Sequence, residues 1–502
     1  MNPLLDLVLK DAAVPALRFI GAAGEQRFTR AEAHAQIDAF AEHVNAAPRA
    51  SGRVGVLGRN SATHLLASLA ILRAGRCCVL LNPDWPKSTL AAVLGALNLD
   101  AVTGDEGALP EGVATVPRLS FETPDRIACA ATVSDCDIQG VSAAESSADE
   151  TLIMFTSGST GEPKAVPLSG RGYAWTLEQF EFLRPELEGR RVLVAAPLFH
   201  MNAQFHTLLT LAFGGTVVLL ERFDVPTVLD LLAGGAVDRL TGVPTMFELL
   251  ARAAEAHNGC YPAVSSIAMG SAPASGVLFE RLGRLFPSAV ISNGYGTTET
   301  GPAIFGVHPQ GVVTPPGSVG YPMASVELRL AGGSDPARGE LELRSPMVST
   351  GYLGRPDATA ERFRDGWYRT GDLMRRDAQG FYFVEGRVDD MFNTGGHNLY
   401  PLEVEARLLT HPQVQEAAVV AREDALKGAV PVAFVVVRGD FDEDDLKAHC
   451  LAAGPAWAHP RRVVRLDALP LSPVKKIDRA VLKKLAAEVE YRRRTSSGAG
   501  SS

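Results

Sequence analysis

The chain lacks the features that would place it in a membrane, in an oxidising compartment or on nucleic acid. None of its apolar runs approaches the roughly 20 residues that cross a bilayer. The first residues lack a basic stretch followed by an apolar core, so we expect no secretory signal. The six cysteines are scattered, and Cys77 and Cys78 are adjacent rather than at a metal-ligand spacing, which favours reduced thiols in a cytoplasmic protein. A net charge of −9 disfavours a general nucleic-acid binder.

Aromatic residues are sparse at 7%, but 46% of residues are hydrophobic and 21% are charged, as in ordinary soluble globular proteins. The 502 residues are too many for one compact core and predict roughly three or four units of 100–200 residues. Short β-rich runs alternate with helical stretches, which indicates an α/β fold.

Several segments carry a strand or helix pattern. The expected strands are residues 53–57, 77–81, 191–196, 216–220, 289–292, 339–344, 416–420 and 432–437, and the expected helices include residues 64–74 and 443–451. In parallel sheets, ligands bind beyond the carboxyl ends of the strands. We therefore look for the site in the loops that follow these strands.

One loop after the apolar run 152–155 has the composition of a phosphate-binding loop. Its nine positions hold two glycines, four hydroxyl residues and a lysine. The residues concerned are Thr156, Ser157, Gly158, Ser159, Thr160, Gly161 and Lys164. Glycines allow close backbone approach, and successive N–H groups with hydroxyls and a lysine can surround an anion. The GxxxxGK[ST] spacing of kinases and GTPases is absent. A flexible surface loop is the alternative.

The loop resembles the phosphate-binding signature of the adenylate-forming superfamily of acyl-CoA synthetases, adenylation domains and luciferases. Segments 293–299, 367–372, 386–390 and 469–479 are similar to further motifs of that family in the same order, and the resemblance spans about residues 25–485. Among its members the chain looks most like a CoA ligase for small acids or benzoates. The resemblance implies a large N-terminal domain of doubly wound sheets over residues 1–387, with a β-rich subdomain from about 310. A small mobile α+β domain over residues 388–490 and a disordered tail over 491–502 are expected to follow.

The resemblance also implies how ATP is held. The loop would grip the β- and γ-phosphates, Thr298 would bond the α-phosphate, and Glu299 would hold Mg²⁺. Tyr295 would lie against adenine, Asp372 would accept the ribose hydroxyls, and Arg387 would contact the sugar or a phosphate. The other ATP-binding candidates are Gly270, Ser271, Ala272, Asn293, Gly294, Gly296 and Thr297. A capping role for Glu299, a turn role for Asp372 and a surface role for Arg387 are the alternatives.

Lys476 is the candidate catalytic lysine. In the resembling family such a lysine bridges the substrate carboxylate and the α-phosphate during adenylation. The preceding position is commonly glycine but here is Lys475, which stays a minor alternative, as does a solvated basic helix face. The resemblance further implies rotation about Asp389, which would replace Lys476 by the loop 394–397, where Gly395 and Gly396 leave room for the pantetheine arm of coenzyme A.

The acyl pocket is expected to be lined by His200, Met201, Asn202 and Phe205, with Gly270 and Gly294. His200 is also a catalytic candidate that gates the pocket, or else a packed histidine. No anion stands at 201–202 to pair an ammonium, which disfavours amino acids. The motifs leave aryl, alicyclic and short aliphatic acids open.

The predicted function is an ATP- and Mg²⁺-dependent ligase that activates a small to medium carboxylic acid, with aromatic and alicyclic acids among the candidates, and transfers it to coenzyme A. The alternatives are an acyl-AMP ligase that loads a carrier protein and a homologue that binds acyl-adenylate without catalysis. We expect no nucleic-acid partner and no membrane span, and the sequence leaves open a monomer or a homodimer.

Overall fold

The computed structural model describes residues 15–104, 118–119, 149–157, 162–472 and 476–489. The chain forms two compact units. The first contains the residues up to Thr370 together with Arg376–Phe383, and the second contains Gly371–Arg375 and the residues from Val384 onward. The expected domain boundary at residue 387 stays a prediction, and the expected tail at 491–502 lies outside the described residues.

The strands occur in chain order from β1 to β25. They are β1 Pro15–Gly21, β2 Gly24–Thr29, β3 Arg53–Leu57, β4 Cys77–Leu81, β5 Ala101–Gly104, β6 Arg118–Leu119, β7 Glu150–Ser157, β8 Pro163–Ser169, β9 Arg191–Val194, β10 Thr216–Leu220, β11 Arg239–Gly242, β12 Ser266–Gly270, β13 Val290–Gly294, β14 Phe305–Gly306, β15 Tyr321–Pro322, β16 Glu327–Ala331, β17 Arg338–Arg344, β18 Phe363–Arg364, β19 Trp367–Arg376, β20 Tyr382–Arg387, β21 Phe392–Thr394, β22 His397–Leu399, β23 Val414–Asp424, β24 Gly428–Val437 and β25 Arg462–Arg465.

The α-helices of the described residues are numbered α1 to α13. They are α1 Arg30–Ala46, α2 Ala62–Arg73, α3 Lys87–Leu97, α4 Gly170–Gln179, α5 Arg184–Leu187, α6 Met201–Ala212, α7 Val225–Ala233, α8 Pro244–Ala256, α9 Gly276–Leu285, α10 Pro356–Arg362, α11 Pro401–Leu409, α12 Glu443–Ala452 and α13 Arg479–Glu488. Short 3₁₀ turns occur at Glu181–Leu183, Val388–Asp390 and Ala456–Ala458. Within this described part of the chain, no helix is long and apolar enough to cross a membrane.

The first unit is built around two large sheets. One has the order β13-β12-β11-β9-β10-β1-β2 and the other has the order β6-β5-β3-β4-β7-β8. Both are parallel except at the pairs β1–β2 and β7–β8. Strands β3, β4 and β10 are buried along their whole length, as expected of apolar runs in parallel sheets covered on both faces. The predicted α/β fold is confirmed.

Smaller sheets complete the fold. A five-stranded sheet has the order β16-β17-β19-β18, with β20 paired to β19, and matches the predicted β-rich region. The second unit carries the order β22-β21-β24-β23, with β25 parallel to β24, and its helices α11–α13 complete an α+β arrangement. Because β23 and β24 pair over most of their length, they form the centre of this unit.

Local chemistry explains where the predicted elements begin and end. Helix α2 starts two residues earlier than expected because the Ser61 hydroxyl accepts a hydrogen bond from the His64 N–H at 2.9 Å and so caps it. The strand expected at 191–196 ends at Val194, because the Ala196 carbonyl leaves the ladder and accepts a hydrogen bond from a side chain instead. Strand β13 extends to Gly294, two residues further than expected.

Candidate active site

The ends of two neighbouring parallel strands bring together several predicted ATP and acyl residues. In the register of β12 and β13, Gly270 lies opposite Gly294 and Met269 lies opposite Asn293. Ser271, the next residue after β12, has a φ of 67°, a left-handed conformation that bends the chain away from the strand. Because α/β proteins commonly bind ligands beyond the carboxyl ends of their strands, we call the space beyond these two strand ends the crevice.

The loop after β13 is held by close backbone packing. A Cβ on Gly296 would lie 2.4 Å from the Gly301 oxygen and 2.5 Å from the Pro302 oxygen, so this position admits only glycine without a backbone shift. The Tyr295 ring is half-buried, with its centroid 5.9 Å from that of Phe305. Packing gives Gly296 a local role besides its predicted role in ATP binding.

A tight turn follows, and its two outer threonines close it. The Thr297 N–H donates to the Thr300 hydroxyl at 2.8 Å, and the Thr300 N–H donates to the Thr297 hydroxyl at 3.2 Å. Thr298 lies between them and is half-buried, while Glu299 is only 6% exposed. The turn thus fixes the backbone of the two residues expected to meet the α-phosphate and Mg²⁺.

Glu299 has a partner that the sequence did not reveal. The Tyr352 hydroxyl donates a 2.7 Å hydrogen bond to its Oε1 atom, and the Ser349 N–H donates to its carbonyl at 2.8 Å. Burial, with the nearby charge of Glu299, raises the pKa of Tyr352, so this hydroxyl stays a donor. The Lys164 ammonium lies over the Tyr352 ring, 4.9 Å from its centroid. Tyr352 therefore connects the candidate phosphate lysine to the candidate metal ligand.

The residues at this point fit a magnesium ion. Glu299 is a buried carboxylate of which one oxygen is oriented by Tyr352, and Mg²⁺ is commonly held by one or two carboxylates together with substrate phosphate oxygens. In the described ranges, no group of three or more His, Cys, Asp or Glu residues could hold a metal alone. The ion would therefore depend on the phosphates for the rest of its coordination.

The two ends of the phosphate-loop candidate lie on paired strands. Strands β7 and β8 pair antiparallel with Thr156 opposite Lys164 and Ser157 opposite Pro163. Lys164 is half-buried at the start of β8. Gly158, Ser159, Thr160 and Gly161 lie outside the described residues, so their part in the loop stays a prediction.

A second side chain missed by the sequence reasoning holds the loop before His200. Asn60 donates to the carbonyls of Ala196 and Leu220 at 2.9 and 3.0 Å and accepts from the Leu198 N–H at 2.8 Å. Asn60 is 3% exposed and lies between β3 and α2, whereas its partners lie at the end of β10 and just after β9 in the other large sheet. The amide thus joins the two sheets where the chain leads into α6.

The acyl-pocket candidates surround the start of α6. His200 precedes the helix, and its ring centroid is 4.7 Å from that of Phe199. Phe205 is buried and packs edge-on against Phe180. Asn202 is placed close to the crevice, because a Cβ on Gly270 would lie 3.2 Å from its Nδ2 atom.

Several amide atoms in this region are buried without a hydrogen-bond partner among the described residues. They are Oδ1 of Asn202, Nε2 of Gln204 and Oδ1 of Asn293. Unpaired buried polar atoms are unfavourable, so such atoms are commonly satisfied by a ligand or by water. The region can therefore bind a mainly apolar group that carries a polar substituent.

The second unit brings together the candidate ribose ligand and its predicted neighbours. Arg387 donates to Asp372 Oδ1 at 3.1 Å, and its other terminal nitrogen lies 3.5 Å from Asp389. Burial lowers the pKa of Lys476, repulsion by Arg387 acts in the same direction, and attraction by Asp372 opposes both. The residue itself is exposed to solvent, which limits that desolvation. Lys476, Asp372 and Arg387 thus interact electrostatically within one unit.

Lys476 ends a short hairpin. The Ser472 N–H donates to the Lys476 carbonyl at 2.7 Å, and the Lys476 N–H donates to the Ser472 hydroxyl at 3.3 Å. A bridge between Leu471 and Ile477 continues the pairing. Lys475, the alternative catalytic lysine, lies outside the described residues.

The glycine pair expected near coenzyme A forms the turn between β21 and β22. Gly395 and Gly396 have φ values of 61° and 90°, which other residues adopt only with strain. The Gly395 N–H donates to the Lys427 carbonyl at 2.9 Å, and the His397 ring stacks on Trp457 at 5.1 Å. The turn geometry alone requires these glycines, so a role in thiol binding stays a prediction.

Comparison with known proteins identifies the family. The model of the AMP-binding enzymes matches residues 9–353, and that of the AMP-binding enzyme C-terminal domain matches residues 403–476. The chain therefore belongs to the AMP-binding enzyme family, and the predicted relationship to adenylate-forming enzymes is confirmed.

Similar proteins include two CoA ligases. The chain is 34% identical over 469 residues to a feruloyl-CoA synthase of Amycolatopsis sp, which covers 90% of this chain and 93% of that protein. It is 30% identical over 476 residues to a 2-succinylbenzoate–CoA ligase of Bacillus mycoides, covering 93% and 95%.

Solved structures agree with the fold. ATP-bound MatB from Rhodopseudomonas palustris has a TM-score of 0.82 at 26% identity, over 97% of this chain and 99% of that one. The o-succinylbenzoate CoA synthetase of Bacillus subtilis, in complex with its acyl-adenylate intermediate, has a TM-score of 0.78 at 27% identity, over 96% and 98%. The protein is accordingly an ATP-dependent carboxylic acid–CoA ligase that uses Mg²⁺ and forms an acyl-adenylate.

Proposed function

We propose that the acid is a small to medium aromatic or alicyclic carboxylate carrying a polar substituent, and that it enters the crevice between α6 and the ends of β12 and β13. The observation that carries the proposal is the wall around Met201, Asn202 and Phe205, which is apolar apart from neutral amides and the His200 imidazole. No anion lies at 201–202 to balance an ammonium, so an amino acid would leave its charge unpaired.

The backbone of the crevice favours a flat acyl group. Gly270 and Gly294 lie opposite each other, and the nearest atom to a Cβ on Gly294 would be the Met269 oxygen at 3.7 Å. Two strand ends without side chains leave a slot in which a ring can pack. The two curated relatives support this choice, because their names specify feruloyl and 2-succinylbenzoate groups, both of which contain an aromatic ring.

We assign the adenylation step to groups of both units. Lys164 and the loop at 156–161 would hold the β- and γ-phosphates, Thr298 the α-phosphate, and Asp372 with Arg387 the ribose. Tyr295 would lie against adenine. Magnesium bound at Glu299 would neutralise phosphate charge. The acid oxygen attacks the α-phosphorus, the bond to pyrophosphate breaks, and the Lys476 ammonium stabilises the charge that develops between carboxylate and phosphate.

Thioester formation would follow with a different group at the reaction centre. In this proposal the second domain turns about Asp389, which withdraws Lys476 and presents Gly395 and Gly396. The coenzyme A thiol, as its thiolate, attacks the acyl carbon and AMP leaves. Exclusion of water during these steps would protect the adenylate from hydrolysis.

The compartment proposed is the cytoplasm. Cys77, Cys78 and Cys450 are buried free thiols, and burial raises the pKa of Cys78 to about 12. Unreactive thiols of this kind are typical of proteins in a reducing compartment.

A mass-spectrometric screen for acyl-CoA tests the proposal. Purified protein, ATP, Mg²⁺ and coenzyme A would be offered benzoates, hydroxycinnamates, cyclohexane acids, short fatty acids, dicarboxylates and amino acids. We expect thioester from ring-bearing acids. A preference for linear or amino acids would overturn the substrate assignment, and AMP ester without thioester would indicate a carrier protein as acceptor.

A further inference from the structure

One buried carboxylate of the second unit lies outside every motif used so far. Glu405, on α11, is only 4% exposed. Its Oε1 atom accepts the Val419 N–H of β23 at 2.7 Å. A buried charge requires a partner of opposite sign and filled hydrogen bonds, so its other contacts indicate what it is for.

The partner of Glu405 is Arg479. The two terminal nitrogens of this guanidinium reach the two carboxylate oxygens at 2.8 and 3.0 Å, and Nη1 also donates to the Val419 carbonyl at 2.8 Å. Such a two-point contact fixes orientation as well as distance. Glu405 and Arg479 are 74 residues apart in the chain, so the pair fastens the start of α13 to the centre of the unit.

Arg479 stands three residues after Lys476. The Asp478 between them caps α13 through the N–H groups of Ala480 and Val481, both at 3.1 Å, and its own N–H donates to the Pro470 carbonyl at 2.8 Å. Leu482, in the first turn of the same helix, is fully buried. Residues 477–479 form the stem of the Lys476 hairpin. These contacts fasten the stem to the rest of the unit, and the Glu405–Arg479 ion pair is the charged contact among them.

We propose that Glu405 is a positioning residue for Lys476, which it places through Arg479 and the hairpin stem. This inference rests on the proposed role of Lys476 in adenylation. A buried ion pair is weak grounds for expecting stability, because apolar residues of similar volume often stabilise as well. Its directional contacts are better suited to holding a mobile lysine at a defined place. Adenylation should depend on Glu405, whereas thioester formation from supplied acyl-AMP should not.

The test compares Glu405→Gln with Glu403→Gln on the same helix. Glu403 lies one turn before Arg407 and only 3.9 Å from it, so its substitution is a matched control for loss of a helix carboxylate. We expect Glu405→Gln to slow adenylation about 10- to 100-fold, since a misplacement of about 1 Å can cost about 100-fold. Thioester formation from supplied acyl-AMP should change by less than about three-fold.

A second readout follows the hairpin itself. Trypsin cleaves after lysine, and we expect the bond after Lys476 to be cut faster in Glu405→Gln than in the unchanged protein or in Glu403→Gln. If Glu405→Gln does not fold, Arg479→Lys keeps both charges but removes the two-point contact and should give the same pattern.

The outcomes separate this inference from the function on which it rests. Equal loss of both half-reactions, or unchanged adenylation in Glu405→Gln while Lys476→Ala is inactive, overturns the positioning role alone. Intact adenylation in Lys476→Ala, together with intact adenylation and faster cleavage in Glu405→Gln, overturns the catalytic assignment of Lys476 instead. A selective loss of adenylation with faster cleavage supports both.

Discussion

In the first unit the candidate catalytic groups lie on strand ends and tight turns whose neighbours are fixed by buried side chains, whereas in the second unit Lys476 ends a short hairpin exposed to solvent. Glu299 is held by Tyr352 and by the turn around it. Lys476 is held by Ser472 at the hairpin and by the stem behind it. The difference matches two kinds of task. In our proposal, the groups that bind ATP and acid are built into sheets, and the group needed for one half-reaction is carried on a hairpin of the second unit.

The sharpest way to test this contrast is to remove the lysine. Lys476→Ala should slow adenylation about 10²- to 10³-fold, because a positive charge aimed at the developing negative charge is lost. Thioester formation from supplied acyl-AMP should be nearly unchanged. Pyrophosphate release and acyl-CoA formation measure the two steps separately. Equal loss of both would mean that the two units do not divide the reaction as proposed.

Removal of the buried Glu299 carboxylate in the first unit should slow adenylation almost as strongly. Glu299→Gln keeps the shape but loses the charge that would hold Mg²⁺, so we expect adenylation to fall about 10²-fold and the Mg²⁺ requirement to rise. Calorimetric titration of ATP at several Mg²⁺ concentrations checks the binding directly. Tyr352→Phe, which removes only the orienting hydroxyl, should shift the same curves less. Unaltered Mg²⁺ dependence in Glu299→Gln would exclude this carboxylate as the ligand.

A smaller effect is expected where the two large sheets are joined. Asn60→Ala leaves the Ala196 and Leu220 carbonyls and the Leu198 N–H without their partner, which should lower the free energy of unfolding by about 2–4 kcal/mol. Because the loop before His200 loosens, the KM for the acid should rise more than the KM for ATP. Thermal unfolding and steady-state kinetics measure both. Parallel increases in the two constants would show that Asn60 supports the fold only.

The smallest effect on activity, but a clear one on stability, concerns pH. Burial lowers the pKa of His64 to about 4, below its value in an unfolded chain. Well above about pH 6.5 the imidazole is neutral in both the folded and the unfolded state, so it adds nothing to the pH dependence of stability. As pH falls toward 4 the unfolded chain takes up the proton first, so up to about 3 kcal/mol of stability is lost. Unfolding measured at pH 7 and pH 5 should show this decline, and His64→Gln should reduce it.

Patterns local in sequence predicted most of the fold. The buried strands β3, β4 and β10 match their expected bounds, because each is a short, mainly apolar run of strand-forming residues. The order of motifs along the chain likewise indicated the family. Where the bounds differ, a side chain makes the hydrogen bond that decides them. Asn60 binds the Ala196 carbonyl beyond the early end of β9 at Val194, and the Ser61 hydroxyl caps the early start of α2.

The supporting residues of the site could not be predicted in the same way. Tyr352 is 53 residues from Glu299, Asn60 is 136 from Ala196, and Glu405 is 74 from Arg479. Nothing in a local pattern distinguishes a buried asparagine or glutamate with distant partners from one at the surface. Only Gly351-Tyr352, an aromatic residue after a glycine, gave a signal that could have been followed.

The two glycines that follow Asn293 differ in what they permit, and this matters for enzyme engineering. At Gly296 an added methyl group would clash with the backbone oxygens of Gly301 and Pro302, at 2.4 and 2.5 Å. At Gly294 the nearest atom would be the Met269 oxygen at 3.7 Å, which is an ordinary contact. A designer can therefore vary position 294 from alanine upward to shorten the slot for smaller acids. Position 296 should be excluded from any such library.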